Sequence, residues 1–219
     1  MRTDMELQKD VAEELKWEPR LQEDEIGVAV KNGVVTLTGF VPDYAQRRTA
    51  AKAAERVVGV RAVAQELVVK VPEMFRYSDT ELAHRVVNAL AWDVEVPNEK
   101  IQAKVENGWV TLEGTVDWQY QRNAAERAVR YLGGIKGVAN QIAIAPSMSA
   151  SAYDVAQRIK AALHRTAEVE AKRVEVTAKD GKVVLTGSVR SWPERADVER
   201  AAWSASGVMA VDDRLAVVV

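Results

Sequence analysis

Residues 26–39 read IGVAVKNGVVTLTG, and this stretch decides the fold. Apolar side chains alternate with small or polar ones on both sides of Asn32-Gly33, a dipeptide that suits the two positive-φ positions of a type I′ turn. The stretch therefore predicts an antiparallel β-hairpin. The same turn, followed six residues later by a second glycine, recurs at Asn107-Gly108 before Gly114 and at Asp180-Gly181 before Gly187.

The three hairpins are regularly spaced. The interval from Gly33 to Gly108 nearly equals the interval from Gly108 to Gly181, and each is about one third of the chain of 219 residues. Such a spacing is the signature of a tandem array of small domains. Short linkers are predicted to begin at Pro72 and Pro146. We predict three domains of nearly equal length, covering residues 1–71, 72–146 and 147–219.

Two helices accompany each predicted hairpin. The first begins with a hydroxyl residue three positions before an acid, the pattern of a capping box, at Thr3-Glu6, Ser78-Glu81 and Ser151-Asp154. The second is rich in Ala, Arg and Glu and ends at a glycine. A final apolar strand follows. The predicted fold class is α+β, with three tandem αββαβ units that each form a small mixed three-stranded sheet covered by two helices.

The recurring motif resembles the BON domain. It consists of Gly-x-Val, a helix carrying Arg, and Gly-Val or Gly-Ile before the last strand, and it is found at Gly39-Phe40-Val41 with Arg47 and Gly59, at Gly114-Thr115-Val116 with Arg122 and Gly134, and at Gly187-Ser188-Val189 with Arg195 and Gly207. The resemblance covers nearly the whole chain. It implies an αββαβ fold, phospholipid binding without catalytic activity, and a place among bacterial proteins of osmotic or envelope stress, like the osmotically inducible members of the family.

Arginines recur on the predicted second helices. Arg47, Arg122 and Arg195 occupy equivalent positions, and Arg48 adds a further positive charge. Near an anionic membrane each basic side chain contributes about 1 kcal/mol of attraction to phosphate headgroups. A solvated helix face with local ion pairs accounts for the same pattern. Both interpretations stay open on the sequence alone.

Aromatic residues stand at the start of the same helices. Tyr44 and Trp192 are equivalent, and Trp118 lies one position earlier in its domain. Such rings suit a lipid interface, but they equally suit packing between domains or in a homo-oligomer. Trp17 and Trp92 form a second equivalent pair, near the end of the first helices.

Composition argues against catalysis and against nucleic-acid binding. The chain has no cysteine, and its histidines, His84 and His164, occupy non-equivalent positions without a catalytic motif. Gly133-Gly134 and Lys136 are better explained by a helix end than by a phosphate-binding loop. The basic and acidic residues number 11 and 12, 8 and 10, and 11 and 10 in the three domains, so none carries the excess typical of duplex binding. We predict no enzyme activity, no cofactor and no metal site.

The chain start indicates a cytoplasmic protein, because residues 1–10 contain acids and no apolar leader. Any contact with the inner membrane is then expected to be peripheral. The main hypothesis is a module that binds an anionic phospholipid surface. One alternative is a protein-binding or self-associating scaffold. Another is a potassium or other cation sensor, for which the acidic run Glu23-Asp24-Glu25 is the candidate site.

Overall fold

The computed structural model describes residues 2–146, 151–165 and 173–218, so residues 147–150 of the second predicted linker lie outside the described part. The chain forms two compact units. One contains Met1–Asp93, Ala103–Leu112 and Glu126–Asn140, and the other contains Val94–Gln102, Glu113–Ala125 and Gln141–Val219. Along the chain, the predicted order of helix, strand, strand, helix and strand is present three times.

The helices and strands lie where the repeat places them. The first domain contains α1 (Asp4–Trp17), β1 (Ile26–Lys31), β2 (Val34–Val41), α2 (Tyr44–Arg56) and β3 (Ala62–Val69). The second contains α3 (Asp79–Trp92), β4 (Ile101–Glu106), β5 (Trp109–Val116), α4 (Gln119–Arg130), β6 (Gly137–Asn140) and β7 (Ala143–Ile144). The third contains α5 (Ala152–Arg165), β8 (Val174–Lys179), β9 (Lys182–Val189), α6 (Trp192–Trp203), β10 (Ala210–Asp213) and β11 (Ala216–Val217).

The second strand is the centre of each small mixed sheet. β2 pairs antiparallel with β1 and parallel with β3, and β5 and β9 have the same two kinds of neighbour. The parallel partners have the same separation along the chain in all three domains, as the pairs Val34 with Ala62, Trp109 with Gly137 and Lys182 with Ala210 show. The predicted α+β class and the mixed sheets are confirmed.

The last strand is continuous only in the first domain. In the other two it is interrupted, so β6 and β7, and likewise β10 and β11, pair in turn with the same central strand. At the break in the third domain, the Asp213 carboxylate accepts a hydrogen bond of 2.9 Å from the backbone N–H of Leu215. The N–H of the preceding Arg214 still donates to the Leu185 carbonyl of β9 at 2.9 Å, so the two strands stay joined across the break. The sequence did not predict this interruption.

In the first and third domains, the apolar faces of both helices cover one face of the sheet. In the first domain Leu7, Val11 and Leu15 of α1 join a buried cluster with Val35 and Leu37 of β2. In the third domain Val155, Ile159 and Leu163 of α5 take the equivalent places. The step of four residues puts each set of three on one helical stripe, which explains why these helices dock onto the sheet.

A carboxylate at the start of the first helix holds the hairpin turn. The Asp79 carboxylate accepts hydrogen bonds from the backbone N–H groups of Asn107, at 2.7 Å, and of Gly108, at 2.9 Å. Asp4 makes the same pair of bonds to Asn32 and Gly33, at 2.7 and 3.0 Å. These turn residues have positive φ angles, as the Asn-Gly pattern predicted. The carboxylate therefore ties the turn to the helix that covers the sheet.

The third domain lacks this carboxylate. Ala152 precedes Asp180 by the same interval that separates Asp79 from Asn107, so an alanine stands where the second domain has its acid. Since the turn residue is here an aspartate instead of an asparagine, an acid at position 152 would meet a like charge. With alanine at position 152, the aspartate at position 180 avoids repulsion by a second carboxylate.

We predict that Asp79→Ala lowers the free energy of unfolding by about 1–3 kcal/mol, because two backbone donors lose a charged acceptor. Hydrogen exchange of the Asn107 and Gly108 amides should accelerate. The control is Thr80→Ala, at the exposed next position of α3. Unchanged amide exchange in Asp79→Ala would show that the carboxylate does not hold the turn.

Candidate functional site

The arginines of the second helices are predicted from the sequence to contact a membrane or a partner. In the structure, the arginine of the third domain, Arg195, instead makes contacts within its own domain. Arg195 Nε lies 2.7 Å from Asp213 Oδ2, and both side chains are partly buried. The guanidinium group also lies over the Trp192 ring, 5.1 Å from its centroid. Arg195 therefore joins α6 to the end of β10. It forms a local ion pair, which is the alternative to headgroup contact that the sequence left open.

In the first domain the equivalent arginine has a neutral neighbour. Gln65 lies at the position of Asp213, and its side-chain amide donates to the backbone carbonyl of Arg47 at 2.6 Å. This bond needs no particular side chain at position 47. Arg47 is half-buried, and among the described residues its Nε has no hydrogen-bond partner, whereas the Nε of Arg195 donates to Asp213. Arg122 is likewise half-buried on α4.

Arg48 belongs to a group of charges on α2 and α4. Its guanidinium lies 3.9 Å from Glu126, which is 2.9 Å from Arg130. Partial burial of the ammonium group, together with the positive charges of Arg48 and Arg130, lowers the pKa of Lys52. Since Glu126 is shared by two arginines, this group retains excess positive charge.

The predicted aromatic contacts differ in exposure. Tyr44 is only 8% exposed, which leaves little of its side chain for a surface contact. Trp118 is exposed and lies 6.4 Å from the Tyr120 ring, while Trp192 is half-buried beside Arg195. Trp118 is therefore the most accessible of the three predicted rings.

The sequence alone assigned no role to the most exposed tryptophans. Trp17 is 83% exposed and Trp92 is 86% exposed, each as the last residue of its first helix. Beyond Trp92, Val94 is fully exposed, and Val87 is exposed earlier in α3. The signal available in the sequence was the off-phase position of Trp92, two residues past the buried Leu90, which turns its ring away from the core.

The surroundings of the two tryptophans differ in charge. α1 carries Asp10, Glu13 and Glu14 in its later turns, whereas α3 has no acidic residue after Glu81. The next acid along the chain, Asp93 just beyond α3, lies 3.9 Å from the Arg127 guanidinium. Of the two tryptophans, only Trp92 therefore lies on a helix whose later turns are free of carboxylates.

The first helix of the third domain is basic. α5 has Arg158, Lys160 and Arg165 against the single acid Asp154. The formal charges of α1, α3 and α5 are therefore −3, −1 and +2. The three equivalent helices thus present surfaces of different charge on the same fold.

Within the described residues, no three His, Asp or Glu side chains converge as a metal site requires. In the same part of the chain, no helix combines the length and apolar character needed to cross a bilayer. Both histidines are exposed.

Comparison with known proteins identifies the repeated unit. The model of the BON domain matches residues 3–71, 78–146 and 152–219, which confirms the resemblance seen in the repeated motif. The chain is 34% identical over 126 residues to osmotically-inducible protein Y of Escherichia coli (strain K12). That match covers 56% of this chain and 63% of the relative, slightly less than two thirds of its length.

Two solved structures from Chlamydia trachomatis are also similar. Both are of CdsD, described as a structural protein of the type III secretion system, with 15% and 14% sequence identity. The alignments cover 96% of this chain and 91% of the first structure, and 100% of this chain and of the second, the C-terminal domain. The TM-score is 0.28 for each.

We predict that Arg195→Ala destabilises the protein by about 1–3 kcal/mol, because it leaves the partly buried Asp213 carboxylate without its cation. Arg47→Ala is the matched variant at the equivalent position, and it should cost clearly less because the Gln65 bond to the backbone remains. Urea denaturation of both variants measures the difference. Equal losses would contradict the structural role assigned to the Arg195 ion pair.

Proposed function

The chain belongs to the BON domain family, with three tandem BON domains, and we propose that it is a non-enzymatic protein that binds anionic phospholipid surfaces peripherally. By this proposal it acts in the response to osmotic stress, as the name of its Escherichia coli relative suggests, or to envelope stress. The observation that carries the proposal is the exposed Trp92 at the end of α3, a helix without carboxylates in its later turns.

The exposed surface of α3 has the composition of an interfacial contact. Val87, Ala91 and Trp92 are all exposed, and the neighbouring Asn88 and His84 are not carboxylates. Leaving an indole ring in water is unfavourable, and the ring is well suited to the boundary between headgroups and acyl chains. The last three turns of α3 carry no carboxylate, so no acidic side chain on them repels an anionic headgroup. A shallow insertion of this helix end therefore explains why a tryptophan is kept exposed.

Positive charge is available on the first helix of the third domain. Arg158, Lys160 and Arg165 are exposed on α5, as is the ring of Tyr153. At about 1 kcal/mol for each basic residue near an anionic membrane, these side chains give a modest, salt-sensitive attraction.

The arginines of the second helices take a secondary place in this proposal. Arg47, Arg48 and Arg122 stay proposed as additional contacts, as do Trp118 and the half-buried Trp192. We assign Arg195 no membrane contact, because its guanidinium forms an ion pair with Asp213.

A protein scaffold is the second candidate, and one observation favours it. The sheet face of the first domain that is turned away from the helices exposes Val34, Phe40 and Val68. The corresponding face of the second domain is more polar, since it exposes Lys104, Glu106 and Glu113 beside Trp109. An open sheet with exposed apolar side chains suits contact with another protein.

We predict that vesicles containing anionic phospholipid bind the protein at low salt and that Trp92→Ala weakens this binding tenfold, which corresponds to about 1.4 kcal/mol. Trp17→Ala is the matched control, because it removes an equally exposed tryptophan from an equivalent position beside acidic residues. Co-sedimentation with anionic and zwitterionic vesicles over a salt series measures both variants.

Equal binding by Trp92→Ala and the unsubstituted protein would exclude the α3 contact. A folded protein that does not bind anionic vesicles but self-associates in analytical ultracentrifugation would support the protein scaffold instead. The cation sensor and the cytoplasmic location stay predictions. Thermal unfolding with and without potassium and fractionation of cells producing the full-length protein test them.

A further inference from the structure

The segment that joins the first two domains is ordered against the second domain. After β3 the chain forms a short 3₁₀ turn at Glu73–Phe75. A Cβ atom placed on Gly133 would lie 2.8 Å from the Phe75 ring, and one on Gly134 would lie 2.7 Å from the Phe75 carbonyl oxygen. The linker can therefore pack here because this glycine pair, which follows α4, has no side chains.

A cleft of about 530 Å³ opens beside this contact. Its walls include Lys70 directly after β3, the linker residues Arg76 and Tyr77, Lys136 and the hairpin turn at Gly108. All of these residues belong to the first compact unit. The volume lies within the range of pockets that bind small organic molecules.

The cleft carries excess positive charge. Lys70, Arg76 and Lys136 are cations, and Asp79 is the one carboxylate among the lining residues. The Asp79 oxygens already accept the two N–H groups of the hairpin turn. With this carboxylate counted against the three cations, the lining residues keep a formal charge of +2.

None of the three cations has a strong carboxylate partner in the described part of the chain. Lys70 Nζ lies 3.1 Å from the centroid of the Phe40 ring, a cation–π contact that involves no carboxylate. Arg76 is 3.7 Å from the almost fully exposed Glu73, a pair that contributes little. Lys136 lies with its methylene groups over Gly108, and its side chain is exposed.

Much of the remaining wall is apolar or aromatic, since Val71, Phe75, Tyr77 and Leu82 also line the cleft. Two lysines and an arginine around an open space match a doubly charged phosphate group, because guanidinium and ammonium donors bind its oxygens. The apolar walls suit an organic group attached to the phosphate.

We propose that this cleft is a binding site for a phosphate monoester, with Lys70, Arg76 and Lys136 as the phosphate ligands. The ester is either a small soluble molecule or the headgroup of a lipid, and the chemistry recognised is the same. A bound phosphate would connect Arg76 of the linker with Lys136 of the second domain. The site is independent of the Trp92 contact.

The third domain offers a natural contrast. Met209 lies against the turn glycine Gly181 just as Lys136 lies against Gly108, and it carries no charge. In the first domain Arg61 takes this place against Gly33. In the second domain a charged residue at this position is combined with the cationic linker segment.

Isothermal titration of the full-length protein with glycerol 3-phosphate and with inorganic phosphate tests the proposal. We expect saturable binding that weakens at least tenfold in the double variant Arg76→Gln, Lys136→Gln. Both side chains are exposed, so the fold should survive, and circular dichroism checks this. Arg61→Gln is the control at the position equivalent to Lys136, and Trp92→Ala should also bind normally.

Vesicles of one part phosphatidic acid to two parts phosphatidylcholine separate the two sources of the phosphate. Binding of glycerol 3-phosphate that depends on Arg76 and Lys136 supports a soluble ester. Dependence on these residues with phosphatidic acid vesicles alone supports a lipid headgroup. If neither probe binds, or if the folded double variant binds both as well as the unsubstituted protein, the proposal is overturned.

Discussion

The close passage of two backbone segments at Gly39 is the constraint on which each domain depends. Gly39 has a φ of 108°, and a Cβ atom there would overlap the carbonyl oxygen of Glu25, the residue before β1. Gly114 and Gly187 meet the carbonyls of Lys100 and Arg173 in the same way. Only glycine tolerates both the backbone angle and the contact. The hairpin can therefore bring its first strand against the central strand while the central strand continues toward the second helix.

The sheet and the helices that cover it depend on this close passage of the backbone. The central strand ends at Val41, Val116 or Val189, and the second helix begins within three residues. The last strand then returns in parallel with the same offset along the chain in each domain. Because one frame is used three times, the buried face of each first helix is restricted to similar apolar residues. The exposed face is not restricted in this way.

The domains differ at exposed positions, which the shared fold does not restrict. Their first helices have formal charges of −3, −1 and +2, and tryptophan ends only the first two of them. This divergence favours division of labour among the domains over three copies of one contact. In the proposed membrane binding, α3 supplies an apolar ring and α5 supplies positive charge. The proposed phosphate site depends on a different part of the chain, the linker before α3.

The sequence was sufficient to predict the fold because its signals are local. The turns at Asn32, Asn107 and Asp180 and the caps at Thr3 and Ser78 act within a few residues, and all are present. The site was less predictable because exposure depends on distant packing. Tyr44 and Trp192 are equivalent in sequence, yet the tyrosine is buried and the tryptophan is only half-buried. The bond from Asp79 to a distant turn and the cleft at Lys136 likewise depend on tertiary contacts that a linear pattern does not contain.

Hydrogen–deuterium exchange of the full-length protein, with and without anionic vesicles, tests most directly whether the first helices carry the membrane contact. We predict slower exchange in peptides covering the end of α3 around Trp92, with weaker protection of α5 and no change in α1. Protection confined to the second helices, α2, α4 and α6, would contradict this assignment and return the contact to the arginines of those helices.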